Sequence, residues 1–150
     1  MNWIQQLASN RVLLLAISAW LVAQILKTLL TLFSTRRFHW ERMVGAGGMP
    51  SAHSASVCAL ATGISRTAGL GSPLFAMAFL FAIIVMYDAM GVRRAAGEHA
   101  KALNRFVLED EVSRKELEPV LPLKESLGHT PLEVTAGALL GILIGILFPM

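Results

Sequence analysis

The chain has 150 residues, of which 55% are hydrophobic and only 15% are charged, and its formal net charge is +3. Its mean hydropathy of +0.59 is too high for an ordinary soluble domain, and its length allows one domain at most. These values exclude a soluble globular protein. We expect an integral membrane protein in which residues 1–150 form a single domain, with no nucleic-acid partner.

Four apolar segments follow one another along the chain. Residues 13–33 and 73–92 are each about 20 residues long, enough to cross ~30 Å of hydrocarbon at ~1.5 Å per residue. Residues 54–65 and 134–148 are shorter and richer in small side chains, and either segment taken alone is also compatible with a buried helix. The sequence predicts an all-α membrane helix bundle with about four transmembrane helices.

Lysine and arginine residues are divided unequally between the two sides of this four-helix topology. One side holds the two termini and residues 66–72, and it carries Arg11 and Arg66. The other side holds residues 34–53 and 93–130, and its ten cations are Arg36, Arg37, Arg42, Arg93, Arg94, Lys101, Arg105, Arg114, Lys115 and Lys124. The positive-inside rule therefore predicts that both long loops face the cytoplasm, in a membrane of the bacterial inner-membrane type.

The second long loop begins with a pattern typical of an amphipathic helix. Its apolar residues recur at steps of four, three and four, at Ala96, Ala100, Leu103 and Val107. The polar residues that fall off this face are Glu98, Lys101, Asn104 and Arg105. The pattern predicts a helix that lies against protein or membrane.

Polar residues in and beside the apolar segments are candidates for function. Lys27 lies inside the first apolar helix, about two turns from its basic end. It either extends to the interface, as lysines near helix ends do, or points into the bundle and binds an anion.

The stretch GGMPSAHSAS, residues 47–56, is unusual for a loop between two membrane helices. Pro50 suits the first turn of a helix, and glycines such as Gly48 let a ligand approach the backbone closely. Free N–H groups at a helix start, together with the hydroxyl of Ser51, form an anion site. The alternative is that Ser51 is only a helix cap and His53 an interfacial histidine.

The stretch YDAMGVRRAAGEHAKALN, residues 87–104, places Asp88 near the basic end of a membrane helix. An unpaired carboxylate is costly there, so a nearby partner is expected. Arg93 or Arg94 is the candidate for that partner or for contact with a phosphate. The alternative is that the arginine pair only sets the topology.

The stretch GHTPLEVTAGALLG, residues 128–141, contains a capping box formed by Thr130 and Glu133, with proline at the first helical position. That interpretation leaves His129 without a role. A carboxylate four residues on can hold the imidazole in one tautomer and leave the other ring nitrogen free to attack.

Three glycines at four-residue spacing indicate a close helix-packing face, which is also a candidate contact for a homo-oligomer; they are Gly137, Gly141 and Gly145. Taken together, these segments place histidines, arginines, a lysine and a helix-start anion site on one side of one membrane. Phosphoryl transfer needs a nucleophile, a proton donor for the leaving oxygen, and cations around the phosphoryl oxygens.

These segments resemble the divergent branch of the type 2 phosphatidic acid phosphatase superfamily, which is related to the vanadium haloperoxidases. GGMPSAHS, DAMGVRR and LGHTPLEV are similar to that branch's signatures. The superfamily's third motif, histidine followed four residues later by aspartate, is matched by His129 and Glu133, with Glu for Asp. Its Pro-Ser-Gly-His motif is matched by residues 50–53, with Ala52 for Gly.

The chain departs from the superfamily pattern at two positions. The first motif has lysine, six residues and then Arg-Pro, but Ser34 stands seven residues after Lys27, and Arg36 follows without a proline. The third motif's arginine would lie six residues before the histidine, where Leu123 stands. Arg93 or Arg94 is the candidate replacement from another helix.

The resemblance implies a metal-independent phosphoric ester or pyrophosphate hydrolase with no cofactor. In it His129 attacks phosphorus and forms a phosphohistidine, Glu133 orients His129, and His53 protonates the leaving alkoxide. The residues implied to bind phosphoryl oxygens are Lys27, Arg36, Ser51, Arg93 and Arg94, with Asp88 and Gly48 in support.

The substrate implied by a site at a membrane interface is a lipid phosphate. Phosphatidic acid, phosphatidylglycerol phosphate and polyprenyl pyrophosphate remain equally open. One alternative is a non-catalytic lipid-phosphate binder, flippase component or assembly protein with a degenerate pocket. Another is a metal site built from His53, His129, Asp88 and Glu133.

Overall fold

A computed structural model describes residues 2–36, 47–109, 123–125 and 127–150 of the chain, without the side chains of residues 107–109. The described residues form helices and connecting segments, with no strand among them. The helices are α1 (Trp3–Ser9), α2 (Arg11–Thr35), α3 (Ala52–Ala68), α4 (Pro73–Met90), α5 (Val92–Glu109) and α6 (Pro131–Leu147). The predicted all-α class is confirmed. Four of the counted cations, Arg37, Arg42, Arg114 and Lys115, lie outside the described residues.

Polar side chains define the starts of the long helices. The Asn10 side chain accepts a hydrogen bond from the backbone N–H of Leu13 at the start of α2, and Ser72 does the same for Phe75 in α4. At the start of α6 the Thr130 and Glu133 side chains each bond the other's backbone N–H, which is the predicted capping box. Each cap satisfies N–H groups that have no partner within the helix.

Helix α3 lies at the centre of the bundle, in contact with α2, α4 and α6. Most of its buried residues are small, among them Ala52, Ala55 and Ala59. Small side chains let neighbouring backbones approach closely, and this packing stabilises helix association inside a membrane. The central position therefore accounts for the low hydropathy of this segment, because most of α3 faces protein rather than lipid.

The glycine face of α6 packs against α3. An added methyl group would collide with the backbone of Ser51, just before α3, if placed at Gly137, and with the backbone of Ala55 in α3 if placed at Gly141. One added at Gly145 would collide with the Thr62 side chain. The predicted helix-packing face is thus used within the chain. A homo-oligomer through the same face stays a prediction, and it would have to displace α3.

The outer surface of the bundle is apolar. Large exposed hydrophobic side chains cover α2, α4 and α6, for example Ile25, Phe79 and Leu143. Helix α2 and the helical stretch Pro73–Phe106 are long and apolar enough to cross a membrane, and α6 is a shorter apolar helix. The chain is therefore a helical membrane bundle, while the predicted number of four spans is not fixed by these lengths.

Helix α5 forms as predicted, and Ala100 of its predicted apolar face is buried, but the buried side is rotated away from Ala96 and Leu103. The buried residues are Gly97, Ala100 and Asn104, whereas Ala96 and Leu103 are exposed. The Asn104 side chain makes three hydrogen bonds of 2.8–2.9 Å to Leu123 and Glu125, one of them to the backbone N–H of Leu123. The segment that leads back toward α6 presents polar backbone groups to α5. An asparagine side chain can form hydrogen bonds with these groups, whereas a leucine side chain cannot.

Candidate functional site

His129 lies in the connection that leads into α6, and Glu133 fixes its ring. The Glu133 Oε2 atom is 3.1 Å from His129 Nδ1 and 2.9 Å from the backbone N of Thr130. One carboxylate thus completes the capping box and holds the imidazole. The backbone N–H of His129 also donates to the carbonyl of Ala89 at 2.9 Å, which ties the residue to the end of α4.

The other ring nitrogen of His129 is buried. The side chain is only 4% exposed, and Nε2 has no hydrogen-bond partner among the described residues. Because Nδ1–H donates to a carboxylate, Nε2 of the neutral ring carries the lone pair. A buried polar atom without a partner is costly unless a ligand or water satisfies it. Nε2 is therefore the nitrogen available for the attack predicted from the sequence, and that role stays a prediction.

A cavity of about 240 Å³ brings both histidines together at the end of α4. Its lining residues are His53, Ile84, Val85, Asp88, Ala89, Arg93, Gly128 and His129. The walls of the cavity therefore come from the first turn of α3, the last turns of α4, the first turn of α5 and the connection before α6. Of the residues implied by the sequence, His53, His129, Asp88 and Arg93 meet here.

Asp88 is paired with the first of the two arginines. Arg93 Nε donates to Asp88 Oδ2 at 2.6 Å, and both side chains are partly exposed. The expected partner of Asp88 is therefore Arg93 rather than Arg94. This bond uses Nε and leaves the terminal amino groups of the guanidinium outside it, on a residue that lines the cavity.

Arg94 lines a second cavity of about 250 Å³ on another side of His129. The residues around it are Gly47, Gly48, Arg94, Glu98, Leu127, Gly128, His129, Thr130 and Glu133. Gly48 reaches it with a φ of 84°, in the left-handed region that favours glycine. The two arginines are thus separated, because only Arg93 shares a cavity with His53.

Lys27 points into the bundle. Its side chain is 2% exposed, which contradicts the alternative that it extends to the interface. Its positive charge lowers the pKa of both His53 and His129, so the ammonium acts on both histidines. A buried cation inside a membrane bundle typically marks a functional site.

Burial lowers the pKa of both histidines, which lie just outside the predicted spans. Loss of hydration is the largest cause at His53, whose pKa falls further beside Arg93, His129 and Lys27, while Asp88 opposes the shift. Loss of hydration is also the largest cause at His129, where the hydrogen bond to Glu133 opposes it. The lowered pKa keeps His129 neutral at neutral pH, as a nucleophile requires, whereas the lowered pKa of His53 means that its protonated form is populated mainly on the acid side of 6.5.

Ser51 acts as the cap of α3. It is fully buried, its Oγ accepts from the Ser54 backbone N at 3.4 Å and from the Ser54 Oγ at 3.0 Å, and its own N–H donates to the Glu133 carbonyl. It lines neither cavity. Pro50 precedes this cap, so the expectation that it sits in the first helical turn is wrong. The extended backbone at Ser51 makes Ala52 the first helical residue.

Arg36 is not brought to the histidines. It ends α2 in a left-handed conformation with φ 52°, is exposed, and lines neither cavity. Among the described residues, no group of three or more His, Cys, Asp or Glu side chains is placed to hold a metal ion. The four residues of the metal alternative therefore do not form such a group.

Two glycines that support the position of His129 were not predicted from the sequence. Gly128 has a φ of 81°, and a methyl group there would collide with the backbone of Arg94. Gly97 similarly admits the backbone of Glu125 and Leu127. Both glycines let the connection that carries His129 lie directly on α5. The sequence signal was weak, because a single glycine before a histidine has many explanations.

The chain is similar in sequence to known proteins. The sequence profile described as "Divergent PAP2 family" matches residues 8–144. The chain is 42% identical to "Uncharacterized membrane protein YuiD" of Bacillus subtilis (strain 168), over 93% of this chain and 94% of that protein. No solved structure matches the chain significantly.

Proposed function

The chain belongs to the divergent PAP2 family, and from that premise we propose that it is a membrane lipid-phosphate phosphatase. It would hydrolyse a phospholipid phosphate or polyprenyl (pyro)phosphate through a phosphohistidine, without a metal. One observation carries the proposal. His129 shares a cavity with His53 and Arg93. Its Nε2 is buried and has no hydrogen-bond partner among the described residues, while Glu133 holds its Nδ1.

In the first step the Nε2 lone pair of His129 attacks phosphorus, and the bond from phosphorus to the leaving oxygen breaks. His53 gives its proton to that oxygen, so the lipid leaves with a hydroxyl group, or as a lipid monophosphate when the substrate is a pyrophosphate. Glu133 stabilises the positive charge that develops on the His129 ring. In the second step His53 takes a proton from water, water attacks phosphorus, and the phosphorus–nitrogen bond breaks to release inorganic phosphate.

Positive charge at the cavity stabilises the phosphoryl oxygens in this scheme. Arg93 lines the cavity, and its pairing with Asp88 fixes the guanidinium. Lys27 adds a buried charge that acts on both histidines. In the transition state of the transfer, the phosphoryl group spreads negative charge over three oxygens. Cations already in position in a site of low dielectric constant stabilise this charge strongly. Arg94 lines only the second cavity, and Ser51 and Arg36 line neither cavity, so the scheme gives these three residues no contact with the phosphoryl oxygens.

The scheme requires a small opening beside His129. Nε2 exposes almost no surface, whereas attack needs phosphorus within about 3–3.5 Å of it. The connection that carries His129 is held to α4 by one backbone hydrogen bond, to Ala89. Movement of this connection, or of the His53 side chain, would uncover Nε2 for the substrate.

The covered nitrogen also favours a second candidate function. A protein that binds a lipid phosphate without hydrolysing it would need the cations of the cavity but no access to Nε2. The arginine that the superfamily pattern places six residues before the histidine is replaced here by Leu123. The loss of that cation also favours a protein that binds phosphate without hydrolysing it. Such a protein would serve as a lipid-phosphate carrier, flippase component or assembly factor.

Phosphate release separates the two candidates. Purified protein in mixed micelles would be given phosphatidic acid, phosphatidylglycerol phosphate and polyprenyl pyrophosphate, with and without EDTA. The phosphatase proposal predicts EDTA-resistant release from at least one substrate and its loss in His129→Ala by several orders of magnitude. Saturable binding without release from any of the three would instead support the non-catalytic candidate.

A further inference from the structure

Helix α5 exposes an apolar face that the bundle does not use. Val92, Leu103 and Phe106 are 66%, 53% and 80% exposed. The first two are eleven positions apart, close to three full turns, and Phe106 follows one turn later, so the three side chains share one side of the helix. The exposed His99 lies on the same side, between Val92 and Leu103. Among the described helices, α5 contacts only α4. This apolar face therefore has no partner in the described bundle.

The opposite side of α5 is mainly basic. Arg94, Lys101 and Arg105 recur at steps of seven and four, Glu98 lies among them, and all four are exposed. The third side, with Gly97 and Asn104, is occupied by the returning segment that leads to His129. The helix thus has one side fixed to the protein, and its apolar and basic sides are both open.

We propose that α5 lies in the membrane–water interface and binds a bilayer that contains anionic lipids. Val92, Leu103 and Phe106 would enter the boundary between headgroups and acyl chains, while the cations of the basic side attract the anionic headgroups. A helix with an apolar side and a Lys/Arg-rich polar side is the form that binds such a surface. The negative surface potential of an anionic membrane attracts such cations when they lie close to it.

Continuity with the membrane span identifies the bilayer, rather than a second protein, as the occupant. The stretch Pro73–Phe106 satisfies the length and hydropathy of a span, and α5 begins two residues after α4 ends. Exposed apolar side chains occur on both sides of the junction, at Tyr87 near the end of α4 and at Val92 at the start of α5. The exposed apolar surface of α4 therefore reaches the point where α5 begins.

Site-directed fluorescence tests this placement on the full-length protein. Single cysteines would replace Leu103, Phe106 or Lys101 in a Cys58→Ser background, and each would carry an environment-sensitive label in reconstituted vesicles. We expect nitroxide lipids labelled near the headgroup to quench positions 103 and 106, and iodide to quench them severalfold less than position 101. Lys101 is the matched control, because it lies on the same helix and faces away from the apolar residues.

Vesicle composition tests the anionic preference. Protection of position 106 from iodide should increase when phosphatidylglycerol is added to phosphatidylcholine vesicles. The increase should disappear in the double variant Lys101→Gln/Arg105→Gln, whose changed side chains are exposed. Equal iodide quenching at 101 and 106 would overturn the interfacial placement. Protection in native membranes but not in lipid vesicles would also overturn it, because a protein would then cover the face. Protection that does not depend on phosphatidylglycerol would overturn the anionic preference.

Discussion

Glu133 Oε2 lies 3.1 Å from His129 Nδ1, one helical turn back along the chain, and accepts the backbone N–H of Thr130 with the same oxygen. The sequence predicts two roles for this carboxylate, completing the capping box and orienting the His129 ring. The structure combines them, because the cap fixes the start of α6 and thereby the position of the carboxylate. A histidine placed just before this cap therefore has an oriented hydrogen-bond partner, and no other helix is needed to supply one.

Glu133→Gln separates the two roles. Glutamine also completes a capping box, so the free energy of unfolding should change by less than about 1 kcal/mol. The neutral amide no longer stabilises positive charge on His129 and can impose the wrong tautomer, so kcat should fall by about two to four orders of magnitude. Thermal unfolding and phosphate release measure the two effects. Unchanged kcat in this variant would show that the carboxylate only caps the helix.

The two arginines should respond differently to lysine. Arg93 lines the cavity beside Asp88, and a guanidinium can hold two phosphoryl oxygens at once, which an ammonium cannot do. Arg93→Lys should therefore lower kcat/KM by at least about tenfold, which corresponds to ~1.4 kcal/mol of transition-state stabilisation. Arg94→Lys is the matched control and should retain activity. Parental rates in both variants would assign the pair to topology alone.

The lowered histidine pKa values give the pH dependence a definite sign. His129 must be neutral to attack, so kcat/KM rises with pH through its pKa, which lies below the ordinary 6.5. His53 must be protonated to act as the acid, so kcat/KM falls as pH rises through its own lowered pKa. The optimum should lie on the acid side of 6.5.

Asp88→Asn checks this assignment, because Asp88 is the group that raises the pKa of His53. The variant should move the alkaline limb of the profile to lower pH and leave the acid limb in place. A profile of kcat/KM that is flat across the acid range would contradict the assignment of His53 as the proton donor.

The predicted topology places the site on the cytoplasmic side. Leu70 and Lys101 are exposed and belong to the two opposite sides, so each can be changed to cysteine in a Cys58→Ser background. A membrane-impermeant maleimide should label position 70 in intact cells and position 101 only after the cells are opened. The reverse pattern would move the chemistry to the outer face.

Local chemistry made much of the site predictable. The T-x-x-E spacing placed the start of α6, the glycine spacing identified its packing face, and the cost of an isolated carboxylate predicted a partner for Asp88. Each of these inferences depends on residues within a few turns of one another. Helix starts and helix faces are set by such short-range interactions.

Interactions between distant segments were not predictable. Asn104 is buried because its amide bonds the backbone near Leu123, and Gly128 is needed because that segment lies on α5. A hydrophobic pattern cannot identify a face that binds polar backbone, so the predicted face of α5 included Ala96 and Leu103 and left out Gly97 and Asn104. The roles of Ser51 and Pro50 likewise depend on where the cap of α3 forms.

Trapping the covalent intermediate tests the central proposal most directly. Protein mixed with a radiolabelled lipid phosphate would be quenched in alkali, which preserves phosphohistidine, and its peptides would be mapped by mass spectrometry. We predict one phosphoryl group on the peptide that contains His129, absent in His129→Ala and accumulating in a variant that slows the second step. Rapid phosphate release by the parent protein, with no label on His129 at any time, would contradict the phosphohistidine mechanism.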